Sequence, residues 1–293
     1  MKSIVKQSSR KKAFTIIELL TVMSIIVILI GVLVPALNKV RRFATEVKQK
    51  AQFNSIQAAV ELFNSKQDGY PPSTALDGTG QPYCGAMKLC EAMMGRDLLG
   101  FHPDSVFRAD GMDSTGTRQI YPVPPTTNNV SARLGTLLQY DNANAYRLVD
   151  IYGSGNTAPF NENIFVLCDV YTRNMRTGNK MGMPILYYKA DTSNYLHDPN
   201  QVVSSTDSGG NIYNFYDNAP LVSLGKPWEQ AGGTSSPHSI ANPARFYRNT
   251  RNTQVTTVRR PYRTDSYILI SAGFDGEYGT ADDICNFEWK YRE

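Results

Sequence analysis

Histidine is scarce in this chain. Three occur in 293 residues, His102, His197 and His238, and none stands at ligand spacing from another. That argues against a zinc centre. Cysteine is nearly as rare, and Cys84, Cys90, Cys168 and Cys285 contain no CxxC pair. Cys84 and Cys90 are a candidate disulfide closing a short loop in an exported domain, with partly buried free thiols as the alternative. The chain has no G-x-S-x-G, H-E-x-x-H, P-loop or G-x-G-x-x-G. No catalytic residue is therefore assigned, and the chain is read as a non-enzyme. Charge is thin as well. Only 19% of residues are charged, while Gly, Asn, Ser, Thr and Pro abound, which suits a loop-rich exported protein. The 41% hydrophobic content, with 17 Tyr and 12 Phe, is enough for a sizeable core.

Acids are missing from the start of the chain. Lys2, Lys6, Arg10, Lys11 and Lys12 all precede Phe14, with no Asp or Glu among them. Removing these five from the 30 basic residues leaves 25 against 26 acidic ones, so the net +4 belongs to this leader. The rest is near neutral, and no nucleic acid is expected as a partner of the body.

Long apolar runs are also absent, with one exception. Phe14 to Leu37 is a 24-residue stretch with a single charge, Glu18. As a helix it spans about 36 Å, against about 30 Å for a bilayer core. The basic leader places the amino terminus in the cytoplasm and the body outside. A secretory signal peptide is one reading, with Val34-Pro35-Ala36 as its cleavage site. The run is too long for that, and it contains a charge. A plain anchor leaves Glu18 unexplained, because an acid within a spanning helix costs about 2–3 kcal/mol at its centre.

The stretch RKKAFTIIELLTVMSIIVILIGVLVPAL, residues 10–37, resembles the amino-terminal signature of the type IV pilin and pseudopilin superfamily. The resemblance implies that a prepilin peptidase cuts between Ala13 and Phe14 and methylates the new amine. Ala13 stands where the family usually has Gly. Glu18 falls four residues after Phe14, as in the family, and Pro35 matches a helix-kinking proline. On this reading the Phe14 amine of one subunit pairs with Glu18 of its neighbour. Each charge would be costly alone in lipid, and together they neutralise and set register. A snorkelling acid near the interface is the alternative reading of Glu18.

Residues 38–67 read as a continuation of the helix, free of Gly and Pro and ended by DGYPP. Val40, Phe43, Val47 and Ala51 share one face, and Phe53, Ile56, Val60 and Phe63 share another roughly opposite, with Leu62 an exception. A change of face predicts two partners: other subunits for the lower half, the chain's own domain for the upper. A helix buried on both sides within one domain is the alternative. Gly31 and Pro35 weaken the helix between the two parts and mark an expected kink.

Beyond the helix, FNSIQAAVELFNSKQDGYPPS and MKLCEAMMGRDLLG resemble the start of the type II secretion major pseudopilin domain, through Gly69, Tyr70 and Pro71. NIFVLCDVY, PILYYKA, NIYNFYD and DSYILISA are strand candidates bounded by turn residues. Helices followed by strands predict an α+β fold with an antiparallel sheet. Residues 100–160 and 190–262 read as large loop insertions. Paired aromatics such as those of RFY suit core packing better than glycan binding, and Arg259, Arg260 and Arg263 read as a solvated surface.

The chain nears its end with SAGFDGEYGTADDICNF, residues 271–287. Asp275, Glu277, Asp282 and Asp283 crowd a glycine-rich loop whose hard oxygens suit Ca²⁺. It lacks EF-hand spacing, and it resembles the calcium loop near the end of the major pseudopilin. Asp275, Asp282 and Asp283 are the expected ligands, a solvated acidic turn being the alternative. The expected organisation is a leader (1–13), a transmembrane assembly helix (14–37), an amphipathic spine (38–67) and an α+β head (68–293). The expected function is a structural subunit of a helical filament, first a type II secretion pseudopilin. A type IV pilin for adhesion, motility or DNA uptake is the alternative, and a membrane-anchored binding module or enzyme a third. Expected partners are other copies, minor pilins or pseudopilins, the peptidase and an inner-membrane assembly platform. The expected location is the bacterial inner membrane before assembly and a periplasmic or extracellular filament after it.

Overall fold

A computed structural model describes residues 15–201, 204–229 and 236–287. The longest element is α1, Ile16–Gln67. Its aliphatic first half and its Lys-, Gln- and Ala-rich second half both favour helix. Pro35 cannot donate to the carbonyl of Gly31, four residues back, yet the helix continues through both. Glu46 and Lys50 pair one turn apart at 2.6 Å, worth a few tenths of a kcal/mol. The helix stops where Asp68 turns left-handed, at φ 54°. Asp68 rather than Gly69 supplies that conformation, which Asp tolerates better than most residues.

The chain divides into two compact units between Ala44 and Thr45. In the first, residues 16–44 of α1 bury no side chain against the chain itself. In the second, the upper stripe of α1 is core: Phe53, Ile56, Val60 and Phe63 are at most 3% exposed. Phe63 packs edge-on to Phe101, 5.0 Å between ring centroids. The lower stripe stays outside, with Val40, Phe43 and Val47 half exposed or more. Leu62, the exception to the pattern, is exposed as well.

The centre of the second unit is α2, Gly85–Met94, in which all ten residues are buried. It packs on β2 (Phe165–Leu167) and β5 (Leu186–Lys189). A Cβ at Gly85 would lie 2.3 Å from the Tyr187 carbonyl, so only glycine permits this approach. Asn218 bridges the junction, accepting from Ala86 N–H at 2.9 Å and donating to the Tyr187 carbonyl at 2.7 Å. β5 pairs antiparallel with β6 (Tyr267–Ser271), Leu186 opposite Ile270, and β6 pairs with β7 (Ile284–Cys285). β6 is buried along its whole length, hence its unbroken apolar run. Two smaller antiparallel pairs complete the strands, β1 (Ala145–Arg147) with β2 and β3 (Arg173–Asn174) with β4 (Lys180–Met181).

The fold is thus α+β, a long amino-terminal helix followed by small antiparallel sheets and loops. NIYNFYD is not a strand. It makes one bridge, Asn211 to Leu196, then a 3₁₀ turn capped by the Asn214 side chain. Asn214 competes with strand pairing by bonding backbone locally, its side chain accepting from Tyr216 N–H at 3.0 Å. The loop-rich stretches hold short helices: α3 (Thr127–Ser131), α4 (Tyr140–Ala143), α5 (Leu148–Tyr152), α6 (Ala219–Val222) and α7 (Pro243–Asn249). All four cysteines are free thiols. Cys84 and Cys90 do not pair. They flank and enter α2 six positions apart, a rise of about 9 Å, beyond the roughly 7 Å a disulfide spans.

Candidate functional site

Ala13 and Phe14 lie outside the described residues. Glu18 does not, and its surroundings are local. Its Oε2 accepts from Thr15 N–H at 2.9 Å and Thr15 Oγ1 at 2.8 Å, while Glu18 N–H approaches Thr15 Oγ1 at 3.3 Å. This is a reciprocal capping box at the start of α1. Its sequence signal, T-x-x-E in TIIE, is present but is masked by the acid's position in an apolar run. Within a single chain Glu18 therefore has a polar partner without a neighbouring amine. α1 itself is long and apolar enough to cross a membrane.

Higher on α1, two glutamines fix the helix in the second unit. Gln49 Oε1 accepts from Val170 N–H at 2.9 Å. Gln52 Nε2 donates to the carbonyls of Asn142 at 3.0 Å and Cys168 at 2.9 Å. Both side chains are buried, so these bonds specify register more than they add stability. The apolar pattern carries no trace of them.

A buried polar cluster joins α2 to the loop after α1. Lys88 Nζ donates to Thr74 O, Thr74 Oγ1 and Leu76 O at 2.6–2.9 Å. Burial lowers its pKa to about 8. Ser73 Oγ donates to Asp217 and accepts from Lys189 N–H at 3.0 Å, and burial pushes Asp217 up to about 7. The two residues border adjoining clefts of about 360 and 330 Å³. Lys88 commits all three of its donors to the fold and Ser73 both donates and accepts within it, which makes them struts. In the sequence, Lys88 is legible only as an isolated cation in an apolar helix.

The acidic loop follows β6. Asp282 Oδ2 accepts from Asp275 N–H at 2.9 Å, and Asp275 Oδ1 from Glu277 N–H at 2.8 Å. Asp283 is buried and accepts from Gly279 N–H at 2.7 Å. Gly273 carries φ 65°, and a Cβ there would sit 2.2 Å from the Asp282 carbonyl. Glu277 stands apart, held by Lys226 at 2.7 Å and Ser239 at 2.6 Å. His238 braces the same loop, its Nδ1 accepting from Tyr278 N–H at 3.3 Å, while Nε2 lies 3.1 Å from the Gly225 carbonyl. Burial, then the neighbouring Asp282, raises the Asp275 pKa; burial raises that of Asp283, with Asp275 and Asp282 adding to it. The three acids share one loop, but among the described residues no three His, Cys, Asp or Glu are arranged to hold a metal ion.

Residues 8–34 match the family model described as the prokaryotic N-terminal methylation motif. No curated protein and no solved structure matches the chain. The matched segment contains the Ala13–Phe14 junction, the Thr15–Glu18 box and most of the exposed apolar helix. By that segment the chain carries the signature of the type IV pilins and pseudopilins, a family of structural filament subunits.

Proposed function

We propose that this chain is a filament subunit cut between Ala13 and Phe14, anchored by α1 and assembled through it, and that the filament is a type II secretion pseudopilus. The methylation motif over residues 8–34 carries the subunit reading. The exposed faces of α1 support it. An isolated chain leaves Ile16 to Leu37 and the stripe through Phe43 and Val47 open, which lipid and neighbouring subunits would cover. Glu18 then has two successive partners. Before assembly it caps its own helix through Thr15, and in the filament it meets the Phe14 amine of a neighbour.

The choice of a secretion pseudopilus rests on the turn at Gly69, Tyr70 and Pro71 and on the acidic loop. Tyr70 OH donates to Glu61 at 3.1 Å and Tyr187 OH to the Pro71 carbonyl at 2.8 Å, so the turn is fastened at both ends. In the loop, Asp275, Asp282 and Asp283 would hold Ca²⁺, which supplies the positive charge that those three acids lack. Asp275 and Asp282 would exchange backbone amides for the ion. The Tyr278 carbonyl, in the same loop, already accepts from Ile240 N–H at 2.9 Å. The long loops of the head favour the second reading, a type IV pilin.

Mass spectrometry of the native protein tests the processing. The expected mature chain begins at Phe14 and carries an N-methyl group. A chain beginning at Leu37 would restore a secretory signal peptide and remove the subunit reading. Deleting the gene separates the two filaments. Loss of secreted proteins from the medium with surface pili intact is expected, and the reverse outcome selects the type IV pilin.

A further inference from the structure

The near-neutral body conceals an uneven distribution. Between Glu229 and Asp265 the sequence has no acid and six arginines: 245, 248, 251, 259, 260 and 263. Outside this segment the body holds 19 basic residues, six fewer than its 25, against 26 acidic ones. The fold gathers this charge. After α7 the chain folds back on itself, Arg251 bridging antiparallel to Pro261, with Asn252 N–H donating to Arg260 O at 2.7 Å and Tyr262 N–H to Thr250 O at 3.0 Å. Arg251 thus lies on one arm of a hairpin, and Arg259 and Arg260 lie on the other. Arg259 and Arg260 are exposed. Among the described residues no carboxylate pairs with Arg251 or Arg260, and Arg259 meets only Asp198, at 3.8 Å. Arg263 is engaged elsewhere, its Nε donating to the Tyr267 carbonyl at 3.0 Å.

We infer that this hairpin is a nucleic-acid-binding arm, contacting the phosphate backbone without sequence preference. Three arginines on two adjoining arms, with only one long ion pair among them in the described residues, form a basic patch that a polyanion would neutralise. The cations are all arginines, whose planar fork matches a phosphate bidentately. Gln254, Thr256 and Thr257, exposed at the tip, add neutral donors of the kind that accompany phosphate contacts. Residues 256–260 of the arm are exposed, and neither cleft described above is lined by its arginines, so a long polymer suits it better than a small enclosed anion. The inference rests on the surface of the body and not on which filament the chain builds.

The test uses the full chain in detergent and a fluorescently labelled 20-base-pair duplex, read by anisotropy from 50 to 200 mM NaCl. Non-specific binding at about 10⁻⁶ to 10⁻⁴ M is expected, steeply weakened by salt. The triple variant Arg251→Ala, Arg259→Ala, Arg260→Ala should bind at least about tenfold more weakly at 50 mM. Its log–log salt slope should be shallower by roughly 2 to 3, about 0.9 for each phosphate that is no longer neutralised. The comparison cancels any binding by the basic leader, and the double variant at the exposed Arg259 and Arg260 guards against misfolding of the triple. Equal binding by wild type and both variants would overturn the inference. So would displacement of the duplex by polyglutamate at equal charge, which points to an acidic protein. Salt-labile self-association that disappears in the variants, without duplex binding, would assign the arm to a second copy of this chain.

Discussion

Glu18 has one partner in the single chain and a second only in the proposed filament. Its carboxylate closes a capping box with Thr15, a local arrangement typically worth about 1 kcal/mol at a helix start. That bond accounts for the acid's tolerance in a single chain, and the proposed amine of a neighbour accounts for assembly. Glu18→Ala should therefore leave the protein in the membrane with a folded head and abolish filaments sheared from the cell. Filaments at normal yield would reduce Glu18 to a cap. Thr15→Ala removes the cap alone, and should lower filament yield less than Glu18→Ala does. A second residue-scale prediction concerns His197. It is buried with Nε2 2.7 Å from the Tyr247 carbonyl, and burial holds its pKa down at about 4. An unfolded histidine titrates near 6.5, so the contribution of the neutral ring is complete above that pH and is lost as pH falls towards 4. The buried Asp169 and Asp217, both raised to about 7, act in the opposite sense over the same range. The overall pH profile is therefore uninformative, and the comparison must be between variants. The stability advantage of wild type over His197→Gln should shrink by about 2 kcal/mol between pH 7 and pH 4.5. Parallel profiles in denaturant titrations would show that the ring is not held neutral.

At the scale of elements, the two apolar stripes of α1 meet different surroundings along its length. Ile56 is fully buried and Phe43 is 66% exposed, although both belong to apolar stripes of one helix. Ile56→Ala should destabilise the head by about 2–5 kcal/mol, the usual result of emptying a core position. Phe43→Ala should leave the melting temperature unchanged and lower filament yield. Equal melting shifts for both would place Phe43 in the chain's own core and remove the two-partner reading. This division is legible in the sequence, because 3.6-residue periodicity records which face meets an apolar surface. The strands β2, β5 and β6 are legible for a related reason, as apolar runs bounded by turn residues. NIYNFYD misleads because buried aromatics alone do not make a strand. Its Asn214 caps a 3₁₀ turn instead. Polar clamps are invisible: Gln49, Gln52, Lys88 and Asp217 look like surface residues in a sequence. Only the packing of distant segments puts carbonyls and amides around them. The acidic loop is legible as a loop, but the removal of Glu277 from it by Lys226 depends on a bond between residues 51 positions apart.

At the scale of the molecule, the acidic loop is tied into several segments. His238 and Ile240 bond to Tyr278, Lys226 to Glu277, and Tyr278 OH to the Pro184 carbonyl just before β5. These bonds hold the outer side of the loop, while Asp275, Asp282 and Asp283 rest on backbone amides and the Thr280 hydroxyl, and burial together with the neighbouring acids raises the pKa of Asp275 and Asp283. A cation would remove that repulsion and fasten the chain after β6 to the sheet. Extracellular calcium sites bind at about 10⁻⁴ to 10⁻³ M, so with such a site an exported head would be loaded where a cytosolic one would not. At a hundred times its dissociation constant the ion adds about 2.7 kcal/mol, a large share of the roughly 5–15 kcal/mol that holds a domain together. Chelation should accordingly lower the melting temperature of a soluble fragment, residues 39–293, by several degrees. Asp275→Ala should melt at one temperature with calcium or chelator, while Glu277→Gln, which loosens only the Lys226 contact, should keep the calcium response. A wild-type head that melts identically in calcium and in chelator would make the loop an acidic turn held by its own amides, and the preference for a secretion pseudopilus would then rest on the Gly69–Pro71 turn alone.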